Sequence, residues 1–258
     1  MQFSTNLIEL FFSDSVRFGK FEKNMETTLF LIPTTLGEEE LSTNIPRRVF
    51  ESIRQIKFFI VESEKSARRF LAKAGLETKI QEIELEVLDE HSNSADASRL
   101  IAWVEEHQLV GLLSDAGLPG VADPGSAIVR LAHAKGFKVI PLPGPGSIYL
   151  AMMASGLNGQ NFAFNGYLPV KNPDRIRKLK SLESRSTTEN QSQIFMETPY
   201  RNMSLLEDAM QSLGGETLLC IAANITQPDE FIQTHKIREW KGNMPDINKK
   251  PAIFILQA

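Results

Sequence analysis

Between Leu109 and Lys135 the chain passes from an apolar run, through a loop dense in glycine, proline and aspartate, into a helix-like stretch. The loop reads Ser114-Asp-Ala-Gly-Leu-Pro-Gly-Val-Ala-Asp-Pro-Gly125. Strand, tight loop and helix in that order build an open α/β sheet, which holds its ligands at the carboxyl ends of its strands. A second loop of the same kind, Pro141-Leu-Pro-Gly-Pro-Gly-Ser147, follows the next apolar run. The pair predicts one small-molecule site built mostly from backbone.

The flanking pattern supports a layered α/β chain. Strands are expected at 28–32, 57–61, 109–113 and 137–142, with helices near 46–56, 66–74 and 126–135 between them. Asp96 or Ser98 is the expected cap of a further helix carrying Leu100, Ile101 and Val104. Repeated βα alternation predicts a mostly parallel N-terminal sheet covered by helices. Beyond residue 146, helices are expected at 147–155, 174–182 and 200–213, and 184–193 reads as a polar exposed loop. Strands at 162–168, 193–197, 217–223, 231–237 and 252–257 often follow one another without helices, which predicts a mixed C-terminal sheet. The expected fold is thus two α/β domains, 27–143 and 144–258, after an extension at 1–26. Residues 1–25 fit the alternation poorly, and Met25 is a candidate alternative start.

Composition removes several function classes. The formal net charge is −4, so no global positive field advertises nucleic acid. Cys220 is the single cysteine and lies in an apolar run, which excludes an intrachain disulfide and suits a reducing, cytoplasmic setting. No apolar run approaches the ~20 residues that span a bilayer, so no membrane association is expected. The run Leu7-Ile-Glu-Leu-Phe-Phe12 is too short and too acidic for a secretory signal. Neither loop matches a P-loop or a dinucleotide fingerprint, and no nucleophile elbow occurs. The four histidines lack metal-ligand spacing, so no metal is expected. Chemistry is left to a bound cofactor or to the placement of two substrates.

Six segments in order carry a resemblance: Ile32-Pro-Thr-Thr-Leu-Gly37, Ser114-Asp-Ala-Gly-Leu-Pro119, Asp123-Pro-Gly125, Pro141-Leu-Pro-Gly-Pro145, Phe164-Asn-Gly-Tyr-Leu-Pro169 and Ile194-Phe-Met-Glu-Thr-Pro199. Together they resemble the ribosomal small subunit methyltransferase I family, within the tetrapyrrole-methylase superfamily. The resemblance spans about residues 27–258. It implies two α/β domains, a homodimer, S-adenosylmethionine in the cleft, and methylation of a ribose 2′-hydroxyl in 16S ribosomal RNA. It places cofactor contacts at Leu36, Asp115, Ala116, Gly117, Gly146, Ser147 and Met196, with looser matches at Ala223 and Ala252. The residue chemistry fits. Glycines admit a ligand to the backbone, Asp115 suits ribose hydroxyls or an amino group, and the amides opening the helix at 147 suit a carboxylate.

Methyl transfer to a hydroxyl also needs a proton acceptor or a stabilised oxyanion. Glu197 and Glu62, both at strand ends, are the candidates, and Arg201 is expected to hold a phosphate or to pair with Glu197. Lys171, Arg175, Arg177, Lys178 and Lys180 form one basic cluster, and Lys65, Arg68, Arg69 and Lys73 another. Both are candidate RNA contacts, with Lys171 and Arg175 placed first. The chain departs from the family pattern at three places. Glu62-Ser-Glu-Lys65 replaces Glu-Asp-Thr-Arg, Ala223-Asn-Ile-Thr-Gln227 replaces Arg-Glu-Leu-Thr-Lys, and Pro251 replaces a glycine. Two further readings therefore stay open: a methyltransferase of a small molecule such as a tetrapyrrole, and a non-catalytic paralogue that binds cofactor or RNA.

Overall fold

The computed structural model describes residues 26–37, 39–89 and 91–258, so all but the last residue of the expected extension at 1–26 lies outside the described residues. The first sheet contains β1 (Thr28–Ile32), β2 (Phe58–Val61), β3 (Glu84–Val87), β4 (Leu109–Leu113) and β5 (Lys138–Pro141). Its order is β3-β2-β4-β1-β5 and every pairing is parallel. A parallel sheet is buried on both faces, so its central strands need unbroken apolar runs. Thr-Leu-Phe-Leu-Ile and Leu-Val-Gly-Leu-Leu supply them in β1 and β4. Glycine at 111 is a packing requirement, because a Cβ there would lie 2.6 Å from both Ile32 Cδ1 and Phe59 Cδ1.

Helices α1 (Leu41–Asn44), α2 (Arg47–Ile53) and α3 (Glu64–Lys73) pack on one face of this sheet. Helices α4 (Ser94–His107) and α5 (Ser126–Ala134) pack on the other. The neighbours β1 and β4 therefore send their chains to opposite faces. A crevice opens at their carboxyl ends, the position where open α/β sheets hold ligands. The cap of α4 differs from expectation. Asn93 Oδ1 accepts from the Ala95 and Asp96 amides at 2.7 and 3.4 Å, and Asp96 Oδ2 accepts from the Asn93 amide at 2.9 Å. Asp96 completes a capping box from the third helical position, so the helix begins earlier than either expected cap allows.

Helix α6 (Ser147–Ser155) leads into the second sheet of β6 (Phe162–Tyr167), β7 (Ser192–Glu197), β8 (Leu218–Ala223), β9 (Phe231–Lys236) and β10 (Ala252–Gln257). The order is β6-β7-β10-β8-β9, with only β6 and β7 parallel. Helices α7 (Asn172–Glu189), α8 (Asn202–Ser212) and α9 (Ile237–Trp240) cover one face. Helix α6 covers the other, over Ile194, buried Cys220, Ala222 and Ile255. The polar segment expected to be a loop at 184–193 is the end of α7 and the start of β7. Its hydroxyls are satisfied within the helix, as Thr188 Oγ1 donates to the Ser184 carbonyl at 3.0 Å. Ser186 is fully buried and accepts from the Ala258 amide at 2.9 Å, which ties this turn to the end of the chain.

Candidate active site

The two glycine-proline loops meet. The Thr34 amide, just past β1, donates to the Gly117 carbonyl at 2.9 Å. Gly117 has φ +78°, and a Cβ there would lie 3.2 Å from Leu36 and 3.8 Å from the Pro145 carbonyl. A Cβ on Gly146 would lie 2.9 Å from Leu118. Glycine at 117 thus serves both a left-handed backbone and the close approach of three chain segments. Gly146 precedes α6 without a side-chain cap, so the first amides of that helix stay available to a ligand. Leu36 reaches across to the apolar face of the second sheet.

Between these segments lies a cavity of about 490 Å³, within the size range of small-molecule sites. Leu36, Ala116, Gly117, Gly146, Ser147, Met196 and Ala252 all line it. Two expected residues do not. Asp115 is exposed and lines an adjacent polar recess of about 290 Å³ with Thr35, Ser66, Arg69 and Lys73. Ala223 packs into the core beneath α7 and α8, and Ala222 faces the cavity instead. Side chains alternate along a strand, so Ala222 and Ala223 point to opposite faces of β8.

The charged residues of the rim come from both sheets. Glu197 ends β7 with its side chain fully buried. Its Oε1 accepts from Arg201 Nε and Nη2 at 2.9 and 2.6 Å and from the Thr198 amide at 2.7 Å. This contact raises the affinity of Arg201 for its proton. Of the two expected roles of Arg201, the structure shows the pairing with Glu197. The second carboxylate oxygen, Oε2, is buried and has no hydrogen-bond partner among the described residues. Glu62 sits just past β2, and its Oε2 accepts from the Asp115 amide at 3.0 Å. It supports the β4 loop and is not among the cavity-lining residues.

The expected RNA contact at Arg175 is corrected. Arg175 is 3% exposed. Its Nε donates to Asp208 Oδ2 at 2.6 Å and its Nη2 to Ser204 Oγ at 2.8 Å. It ties α7 to α8, because burying a guanidinium requires an opposite charge and full hydrogen bonding. Lys171, just before α7, is exposed. Gln227, in the segment that departs from the family pattern, donates to Glu39 Oε2 at 2.6 Å, and Thr226 Oγ1 donates to Glu39 Oε1 at 3.0 Å. These bonds close the cavity's edge between the two sheets.

Two site residues were not assigned roles from sequence. Asp123 lines the cavity, and its carboxyl is pushed up to about 6 by burial and by the charges of Glu62 and Asp115. Tyr167 also lines it, although 57% exposed. A register shift in the β6–β7 pairing between Phe164 and Tyr167, with Gly166 at φ +65°, turns its ring there. Bulges beside active sites re-aim side chains in this way. Asp123-Pro-Gly125 was visible as a motif, but the direction of its side chain was not.

With this geometry in hand, the relatives are informative. The ribosomal RNA small subunit methyltransferase I of Vibrio cholerae is 32% identical over 241 residues, 92% of this chain and 79% of that protein. The Escherichia coli protein of the same name is 30% identical over 216 residues, 84% of this chain and 71% of that protein. The chain belongs to the ribosomal RNA small subunit methyltransferase I family. It is therefore a methyltransferase. A third member, from Mesorhizobium japonicum, is 32% identical over 214 residues, 83% of this chain and 69% of that protein. No family model matches. Among solved structures, diphthine synthase superposes with a TM-score of 0.62 at 15% identity, covering 90% of this chain and 89% of that one. The methyltransferase CobJ superposes with a TM-score of 0.59 at 17% identity, covering 89% of this chain and 92% of that one. These two likenesses establish the tetrapyrrole-methylase fold.

Proposed function

We propose that this family member uses S-adenosylmethionine to methylate a ribose 2′-hydroxyl of small-subunit ribosomal RNA, and that the reaction takes place in the cavity between the sheets. The observation that carries this is the convergence of the 114–125 and 143–147 loops on one cavity. The cavity's chemistry suits the donor. Leu36, Met196, Ala222 and Ile253 offer apolar surface to an adenosine. The uncapped start of α6 suits the donor's carboxylate. Glu197 Oε2, buried without a partner among the described residues, can accept from a ligand donor. When bound, the donor supplies a methyl group on a positively charged sulfur.

The protein's own contribution is placement. Holding two reactants in line removes much of the entropic part of a barrier, about 7–11 kcal/mol in the best cases. Gly117 and Gly146 bring main chain against the donor, and Tyr167 offers an exposed ring at the mouth on which a base can stack. Arg201, 36% exposed beside Glu197, is in place to meet a phosphate. Lys171 adds positive charge further out.

This function rests on a homodimer in our reading. Met153, 80% exposed on the apolar helix α6, supplies surface for it. Incubating the full chain with methyl-labelled donor and unmodified 30S subunits tests the assignment. Label is expected in 16S RNA, at a nucleotide that resists alkaline cleavage on its 3′ side. Label in a tetrapyrrole and none in RNA would refute it.

A further inference from the structure

Three carboxylates line the cavity: Asp123, Glu197 and Asp229. They are held in different ways. Glu197 spends one oxygen on Arg201 and Thr198. Asp229 Oδ2 lies 3.0 Å from Lys250 Nζ and accepts from Asn224 Nδ2 at 2.8 Å, contacts that hold its carboxyl below the usual carboxylate range. Among the described residues, no lysine or arginine forms an ion pair with Asp123.

Its surroundings push the other way. Burial comes first, then the charge of Glu62 after β2, partly offset by a hydrogen bond from Ser114, with Asp115 adding further repulsion. Across the cavity stands Tyr167, whose phenol is raised by burial and by the charges of Asp123, Glu197 and Glu62, against the opposing effect of Arg201. The backbone that holds Asp123 is unusual. Gly120, Ala122 and Gly125 have φ of +79°, +63° and +126°. A left-handed alanine beside two left-handed glycines is strain of the kind that collects at functional sites.

We propose that the carboxylate of Asp123 accepts the proton of the acceptor hydroxyl. This rests on the methyl-transfer reading above. As the hydroxyl oxygen forms its new bond to the methyl carbon, its O–H bond breaks and the proton passes to an Asp123 oxygen. The electron pair of the carbon–sulfur bond stays on sulfur, which leaves as a neutral thioether. A carboxylate with proton affinity raised toward 6 is still ionised at neutral pH, yet is a better base than an ordinary aspartate. Glu62, one of the two expected bases, then has a different part: its charge tunes Asp123. The other, Glu197, positions Arg201.

The test combines titration, binding and rate in the full chain. Carbon-13 NMR of carboxyl-labelled aspartate should show one resonance, absent in Asp123→Asn, that titrates near 6. Glu62→Gln should lower that titration and move the acid limb of the rate profile down with it. Asp123→Asn should bind S-adenosylhomocysteine, read by calorimetry, as the wild type does, while transfer to 30S subunits falls by about 100-fold or more. Titration of Asp123 near the ordinary value of 3.8 would overturn the proposal. So would wild-type-like transfer by Asp123→Asn, or a loss of product affinity matching the loss of rate. If the wild type transfers nothing to RNA, the function falls and the proton acceptor with it. A working wild type beside a working Asp123→Asn removes the proton acceptor alone.

Discussion

The two walls of the cavity are built by different physics. The wall from the first sheet is main chain: the turns at 33–37, 114–125 and 143–147, with left-handed glycines at 117, 120 and 125. The wall from the second sheet is side chain: Met196, Glu197 and Ile253 on strand ends, backed by ion pairs at Glu197–Arg201 and Arg175–Asp208. A parallel sheet hands its ligand site to the loops at one end, where glycine admits close approach. An antiparallel sheet presents its face, so chemistry there depends on which way each side chain points. The first wall should therefore be sensitive to an added carbon atom, and the second to a lost charge.

The largest effect is expected behind the second wall. Arg175→Ala strands Asp208 in the core and should lower unfolding stability by about 3–5 kcal/mol in urea melts. The double substitution Arg175→Met with Asp208→Leu should recover much of that loss. If the single variant is as stable as the wild type, the second half does not rely on this pair. On the first wall, Gly117→Ala forces a side chain into a left-handed position and should cost about 1–3 kcal/mol. It should also weaken product binding in calorimetry, because the added carbon meets Leu36 at 3.2 Å. Unchanged affinity would show that the glycine serves the turn alone. At the mouth, Tyr167→Ala should lose about 1–3 kcal/mol of RNA affinity in fluorescence anisotropy, and Tyr167→Phe should keep it.

The pH dependence of stability separates the walls further. Asp123 binds its proton more tightly folded than unfolded. The folded state thus holds more protons between 3.8 and about 6, and this residue's contribution declines as pH rises through that window. Asp229 has the opposite sign: its folded carboxyl is lowered, so its contribution is present above 3.8 and declines as pH falls through its folded value. Urea melts from pH 4 to 7 should show the Asp123 component vanish in Asp123→Asn. The smallest effect is expected at exposed Lys171. Its replacement by alanine should weaken RNA binding about equally for all sequences and reduce the slope of log affinity against log salt by about 1.

Much of this architecture was legible in one dimension. Alternating apolar runs and glycine stops mark most strands and helices of both sheets, because period and capping are local properties. The loops that meet at the cavity were legible for the same reason, since Gly117 and Gly146 answer to backbone geometry. What failed had no local signature. Ser184 to Glu189 is polar enough for a loop, yet it is helix, because Ser186 and the chain end bond to each other. Arg175 looks like its basic neighbours, and only its position opposite Asp208 makes it structural. Ala222 and Ala223 differ by one step along β8, and only the packed sheet says which faces the cavity. Asp123 is the sharpest case. Its motif was in plain view, but its proton affinity comes from burial, from Glu62 on the loop after β2, and from Asp115 within its own loop. Sequence by itself determined most of the elements, their layers and the backbone-built turns, through short-range sterics and periodicity. Tertiary structure alone decided the charges, because electrostatic coupling depends on distance through space and on lost solvent, and neither is written along the chain.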